Sequence, residues 1–233
     1  MVVLWASCAW SATYTINSYA DFRNYMLNAT YTSSTSNTFI LNSDIQLAGY
    51  SNWPGIGSTA SPFRGHFNGN GHTIYVNIKP LPPTGSSYLP ITENRALFVN
   101  VGSGSVIENL HVEGRVQGYN AGGIASIVDG GTITNCSFSG DIAAVTRKDE
   151  AVVEDLINEL ADEQISDIND IERFDSVISS DPSYKTLHRG RINAGGLVGV
   201  MEAGEISECT FRGKVTASAD AVYSVAGGIA GRF

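Results

Sequence analysis

The sequence predicts an all-β fold, a single-stranded parallel β-helix (solenoid) with an N-terminal helical cap and an α-helical insertion in one rung. Residues 121–145 read AGGIASIVDGGTITNCSFSGDIAAV, and residues 194–218 read AGGLVGVMEAGEISECTFRGKVTAS. Such recurrence is typical of folds in which each unit covers its neighbour's apolar face. The composition, with 25 Gly and 16% charged residues, suits a turn-rich β protein.

Alignment of the repeats predicts which side chains point inward. A degenerate copy begins at Ala96, and in all the copies apolar positions alternate with polar ones, as the two faces of a strand require. The predicted core ladder consists of Ile107, Ile133 and Ile206, of Leu110, Cys136 and Cys209, and of Val112, Phe138 and Phe211. Gly114, Gly140 and Gly213 also align, and they predict a bend where no side chain fits. On the outward face Arg115, Asp141 and Lys214 predict a ladder of alternating charge.

The aligned cysteines leave two interpretations open. A stack of small buried side chains is the commoner arrangement for such a pair, whereas a disulfide requires suitable backbone geometry. No second His/Cys pair lies near them in the sequence, so no metal site is predicted.

Four segments are predicted along the chain. Residues 1–12 form an apolar leader that resembles the end of a secretory signal, and residues 13–146 form the N-terminal cap and the first rungs. Residues 147–191 form the insertion, and residues 192–233 continue the rungs. Because an open sheet edge favours aggregation, we expect further rungs or another domain after Phe233.

The cap is predicted from a short amphipathic helix near the N-terminus. Ser18 and Asp21 have the spacing of a capping box, and Phe22, Met26 and Leu27 then fall on one helical face. A helix of this kind is a suitable cover for the end of a β-helix.

The insertion carries nearly all the excess negative charge of the chain. Residues 148–182 hold 12 acidic and 2 basic side chains, against 11 and 12 in the remainder. Apolar residues recur there at helical spacing. The stripe, a candidate partner-binding surface, consists of Val153, Leu156, Ile157, Leu160, Ile168, Ile171 and Phe174. It packs either on its own solenoid or a second copy, or on a partner protein.

Motifs that would indicate catalysis or a cofactor are absent from the sequence. It contains no HExxH and no G-x-S-x-G, and its four histidines are scattered. Leu81 to Gly85 read LPPTG but are followed by further strands, so we interpret them as a Pro-rich loop. We predict no catalytic, cofactor-binding or metal-binding residues, no nucleic-acid binding and no membrane span.

Several segments together resemble bacterial secreted or surface proteins with GLUG repeats. FRGHFNGNGHTI at residues 63–74 is similar to the motif that precedes these repeats, and AGGLVG at residues 194–199 is similar to the repeat itself. The resemblance implies a parallel β-helix in a secreted or surface-attached protein. Some members are adhesin-like, and similar repeats accompany IgA-specific metallopeptidases. The acidic insertion is not part of the resemblance.

We therefore expect a non-catalytic segment that acts in adhesion, in ligand display or as a spacer. The expected partner is a host or surface protein or a glycan, whose identity the sequence leaves open. One alternative is a carbohydrate-active β-helix enzyme, a lyase or a hydrolase, with clustered carboxylates on an outward strand face. Another alternative is the N-terminal accessory region of a larger surface peptidase.

Overall fold

The computed structural model describes residues 11–49, 53–79, 94–145, 191–218 and 223–233. Most of the predicted leader, the LPPTG loop and the insertion up to residue 190 lie outside these residues.

Short strands make up most of the described chain. In order, the elements are β1 (Thr13–Ile16), α1 (Tyr19–Met26), α2 (Ala29–Thr32), β2 (Thr38–Leu41), β3 (Ile45–Gln46), β4 (His66–Asn68), β5 (Thr73–Ile78), β6 (Phe98–Gly102), β7 (Val106–Glu108), β8 (His111–Gly118), β9 (Asn120–Gly122), β10 (Ala125–Thr134), β11 (Ser137–Val145), β12 (Arg191–Gly195), β13 (Val198–Ser207), β14 (Thr210–Ser218), β15 (Tyr223–Gly227) and β16 (Ala230–Arg232). Side chains along β5 alternate between buried and half-buried, because successive residues of a strand face opposite sides.

Parallel pairing arranges the described strands into three sheets. An eight-stranded sheet has the order β1-β2-β4-β7-β10-β13-β16, with β6 also paired to β10; a five-stranded sheet has the order β14-β11-β8-β5-β3; a three-stranded sheet has the order β15-β12-β9. The chain runs from the three-stranded to the eight-stranded and then to the five-stranded sheet, and we call one such circuit a rung. The prediction of a mostly-β chain with parallel strands is confirmed.

The predicted N-terminal helix is α1. The Ser18 side chain caps it by accepting a hydrogen bond from the Asp21 backbone N–H at 3.2 Å. Phe22 and Met26 are buried, and α1 contacts β1 and β3, the outermost strands of their sheets. The helix therefore lies at that end of the stack. The expectation for Leu27 was wrong: it is the C-cap residue, and its side chain is exposed because the helix ends before its apolar face reaches it.

Equivalent residues of the repeats lie beside one another. Ile133 pairs with Ile107 on one side and with Ile206 on the other, and Phe138 likewise pairs with Val112 and Phe211. The Phe138 and Phe211 rings stack with centroids 6.2 Å apart. Of the ladder, Ile107, Ile133, Leu110, Cys136, Val112 and Phe138 are buried, whereas Ile206, Cys209 and Phe211 are half-buried on the outermost rung of this part of the stack.

The aligned glycines admit the close approach of the neighbouring rung. Gly140 has φ +143°, and a Cβ there would overlap the carbonyl oxygen of Gly114 in the adjacent rung. A Cβ on Gly123 would overlap the ring of Phe138. Gly140 therefore allows adjacent rungs to lie close together, and Gly123 allows the Phe138 ring to point into the core.

A ladder of asparagine amides joins three rungs where the three-stranded sheet begins. The side-chain Nδ2 of Asn120 donates to Asn94 Oδ1 at 2.8 Å, and Asn193 Nδ2 donates to Asn120 Oδ1 at 2.7 Å. Asn193 is 2% exposed. Because water hardly reaches it, its bond to Asn120 replaces a hydration contact that is lost on folding.

We expect Gly140→Val to lower the free energy of unfolding by about 3 kcal/mol, since the new side chain meets backbone and occupies a strained φ. Urea denaturation monitored by circular dichroism measures the change. Ser139→Val is the control, because Ser139 is exposed on the same strand, and its effect is expected to stay within about 0.5 kcal/mol. Equal effects of the two substitutions would contradict the glycine's role.

We expect Asn120→Ala to lower the free energy of unfolding by about 2 kcal/mol, because it removes the hydrogen bond between the Asn120 oxygen and the buried Asn193 amide. The matched control is Asn42→Ala, which removes an exposed amide bond to Asn17 and is expected to cost no more than about 0.5 kcal/mol. Urea denaturation of both variants provides the comparison. A cost for Asn120→Ala no greater than that of the control would show that the ladder adds nothing to stability.

Candidate functional site

One corner of the stack accommodates segments of very different length. At this corner the chain passes from the five-stranded to the three-stranded sheet, and we call it the loop corner. Tyr119 alone joins β8 to β9, whereas residues 146–190 join β11 to β12 and residues 219–222 join β14 to β15. Residues 79–94 join β5 to Arg95, which bridges to Ala121 of β9. The Pro-rich loop and the acidic insertion therefore leave the stack at the same corner.

The strands on either side of the insertion keep the register of the neighbouring rungs. Val145, the last residue before it, pairs with Ser218, and Asn193, just after it, pairs with Asn120. Because a one-residue slip would exchange the inward and outward faces, this register fixes where the chain must leave and return. The inserted residues are accommodated with no change in strand pairing.

A cavity of about 300 Å³ lies beside the loop corner. Its lining residues are Tyr119, Asn120, Ile127, Asn193, Val200, Glu202 and Arg232. Ile127 and Val200 pair laterally and supply apolar surface, while Glu202 Oε1 lies 3.7 Å from Arg232 Nη2. Burial raises the pKa of Tyr119, which keeps its hydroxyl protonated and able to donate a hydrogen bond. These groups are suited to binding a polar, uncharged ligand group such as a hydroxyl or an amide.

The outward face of the five-stranded sheet carries the predicted ladder of alternating charge. Asp141 lies between Arg115 and Lys214 in register, and its Oδ2 is 3.2 Å from Arg115 Nη2. Glu113 lies between Tyr75 and Ser139. Among the residues described on these strands, neither carboxylate therefore has another carboxylate as its lateral neighbour.

Each of the three described histidines contacts a different polar side chain. His66 Nε2 is 2.9 Å from Glu108 Oε1, and His111 Nδ1 is 2.7 Å from Ser137 Oγ. His72 Nδ1 is 3.2 Å from Asp44 Oδ1. The Thr73 backbone N–H and then His72 lower the pKa of the Asp44 carboxyl. Each ring joins neighbouring segments of chain, and no group of three metal-ligating side chains occurs in the described ranges.

The two cysteines of the repeats are adjacent, and both are free thiols. The Cys136 backbone N–H donates to Cys209 Sγ at 3.4 Å. The seven residues of the candidate partner-binding stripe, from Val153 to Phe174, lie outside the described residues, so the stripe stays a prediction.

The unequal spacing of the repeats, 26 residues between Ile107 and Ile133 but 73 between Ile133 and Ile206, predicted an insertion at one corner of a rung. It did not predict that residues 79–94 leave the stack at the same corner. The cavity was not predictable in the same way, because Tyr119, Glu202 and Arg232 come from three rungs and no motif relates them.

Comparison with known proteins identifies the repeats. Residues 117–143 and 190–216 each match the GLUG motif, and no curated protein matches the chain. The structure is similar to that of a "putative immunoglobulin A1 protease" from Bacteroides ovatus, with a TM-score of 0.51 and 18% sequence identity over 94% of this chain. The likeness covers 61% of that protein's chain, and at this identity it concerns the fold.

The two motif matches coincide with the rungs β9–β11 and β12–β14, which lie on either side of the insertion. In the described part of the chain no helix is long and apolar enough to cross a membrane. The two segments that match the GLUG motif are thus the laterally paired rungs that flank the acidic insertion.

Proposed function

We propose that this chain is a non-catalytic segment of a secreted or cell-surface protein, in which a single-stranded parallel β-helix displays loops at the loop corner for adhesion or ligand binding. The observation that carries the proposal is the unbroken register across the insertion, from Val145–Ser218 to Asn193–Asn120. A scaffold that keeps its pairing while one loop varies freely is suited to display, and insertions in repeat proteins map to one face that is often the binding face.

The surroundings of the insertion favour ligand binding over a pure spacer. A spacer needs only a stable stack, whereas here a cavity with Tyr119, Asn120 and the Glu202–Arg232 pair lies beside the corner from which the loops emerge. The apolar stripe predicted within the insertion, Val153 to Phe174, also needs a surface to cover it. Its partner is a host or surface protein, a glycan, or the stack itself.

The likeness to the Bacteroides ovatus protein supports one version of this proposal. That protein is named as an immunoglobulin A1 protease, and this chain spans 61% of its length. In this version the chain is an accessory region beside a peptidase domain and holds the substrate, immunoglobulin A1 or another surface glycoprotein. GLUG repeats are consistent with a secreted or surface location.

The outward charges support a non-catalytic role. A carbohydrate-active β-helix of the alternative class uses two carboxylates that act together on one bond. Asp141 is instead paired with Arg115 at 3.2 Å, and both side chains are exposed. An ion pair within a ladder of opposite charges stabilises the pairing register of the strands, whereas an acid–base mechanism needs two carboxylates that face the same bond.

Replacement of residues 146–190 by a four-residue Gly-Ser linker, matched to the segment 219–222, is expected to leave the stack intact. Since a shorter loop loses less entropy, the free energy of unfolding should be unchanged or raised by about 1 to 2 kcal/mol. Circular dichroism and thermal unfolding measure this. As a control, the same linker placed between Asn135 and Cys136 should unfold the rung, because that corner is tight. Unfolding of the deletion variant would contradict the display model.

The deletion variant also tests binding. We expect the intact chain to bind immobilised immunoglobulin A1 or a mucin glycoprotein in surface plasmon resonance, and the deletion variant to bind at least about tenfold more weakly. Equal binding by both variants would exclude the insertion as the ligand site, and no binding by the intact chain would favour a spacer. Release of peptide fragments from immunoglobulin A1, or of unsaturated uronic acids from a polyuronate, would contradict the non-catalytic assignment.

A further inference from the structure

Two thiols are stacked at the tight corner between the eight-stranded and five-stranded sheets. Cys136 follows Asn135 (φ 47°), and Cys209 follows Glu208 (φ 53°), so the two corners have the same left-handed turn. The Thr210 backbone N–H donates to the Cys136 carbonyl oxygen at 3.0 Å, which places the two corners in adjacent rungs. The preceding rung has Leu110 at the equivalent position.

The distance between these corners suits a covalent bond between the sulfurs. Adjacent rungs are about 4.8 Å apart, which lies within the Cα–Cα range of roughly 4.4 to 6.8 Å found for disulfides. Cys209 Sγ already lies 3.4 Å from the backbone nitrogen of Cys136. Little movement of the backbone is therefore needed to bring the two sulfur atoms together.

The two thiols differ in reactivity. The neighbouring Cys136 side chain lowers the pKa of Cys209 to about 7, while the same contact and burial raise the pKa of Cys136. Cys209 is half-buried and Cys136 is 2% exposed. Since the thiolate is the reactive form, Cys209 is the sulfur that meets an external reagent first.

We propose that Cys136 and Cys209 form a reversible disulfide that ties together the two GLUG rungs on either side of the insertion. This goes beyond the display function and does not depend on it. Residues 136–209 then form a closed covalent loop that contains the whole insertion. An oxidising extracellular compartment is where such a bond persists.

The oxidant is a small disulfide, such as oxidised glutathione. The Cys209 thiolate attacks one of its sulfurs, forms a mixed disulfide and releases one thiolate. The Cys136 thiol then loses its proton and attacks the Cys209 sulfur, and the second thiolate leaves. Two cysteine thiols are oxidised, the one external disulfide is reduced to two thiols, and both protons end on the released thiols.

Cyanogen bromide cleavage tests the bond in the intact chain, because methionines occur at positions 1, 26 and 201. The folded chain is treated with oxidised glutathione at about pH 8, blocked with N-ethylmaleimide in denaturant and cleaved in acid. Fragments 27–201 and 202–233, which hold Cys136 and Cys209 respectively, should stay linked and separate only on reduction. Linkage of fragment 2–26, which holds Cys8, or recovery of both thiols as maleimide adducts, would overturn the proposal.

Single substitutions distinguish the two steps. Cys136→Ser should retain glutathione on Cys209, and Cys209→Ser should give neither a bond nor an adduct, because Cys136 is buried. Cys8→Ser should leave the linkage unchanged. In the reduced chain at neutral pH, alkylation of Cys209 should be at least about tenfold faster than that of Cys136. Equal rates at the two sites, or faster alkylation of Cys136, would contradict the assigned order of attack.

Discussion

Lateral pairing between equivalent residues of successive rungs is the constraint on which the rest of the structure depends. A parallel strand satisfies its backbone N–H and C=O groups only through the strands on either side of it. Because the pairing is in register, several columns stack identical residues: Ile133 on Ile107, Gly140 on Gly114 and Asn193 on Asn120. Glycine is required where the backbones of adjacent rungs approach most closely, as at Gly140. Where a stacked polar side chain is buried, as at Asn193, it hydrogen-bonds to the equivalent amide of the next rung.

The same constraint explains why the longest connections between strands lie at one corner. The tight corner turns at Asn109, Asn135 and Glu208, each with positive φ, and the next residue points into the core. At the start of β10 the Gly122–Gly123 pair leaves no room even for a Cβ. At the loop corner, by contrast, Tyr119 alone joins β8 to β9, whereas residues 146–190 join β11 to β12. Length added there costs only loop entropy, which grows slowly with length.

These two properties place the features of functional interest at the corners of the same two rungs. The cavity and the acidic insertion lie at the loop corner, and the tight corner of the same two rungs holds Cys136 and Cys209. The stack thus fixes the positions of the strands from which the long segment leaves and to which it returns. The Arg115–Asp141 pair fits this division, because it reinforces the register on the outward face of the five-stranded sheet.

The sequence by itself determined the repeat, its inward columns and the capped first helix, because these follow from local periodicity and from similar residues at equivalent positions. Ser18, Asp21 and Phe22 illustrate this, since capping and amphipathicity act within one turn. Leu27 was misplaced because the end of a helix depends on its surroundings. Only the tertiary structure decided that residues 79–94 and 146–190 leave at one corner and that Tyr119, Glu202 and Arg232 share a cavity. The residues involved lie far apart in the sequence, and only the lateral stacking of the rungs brings them together.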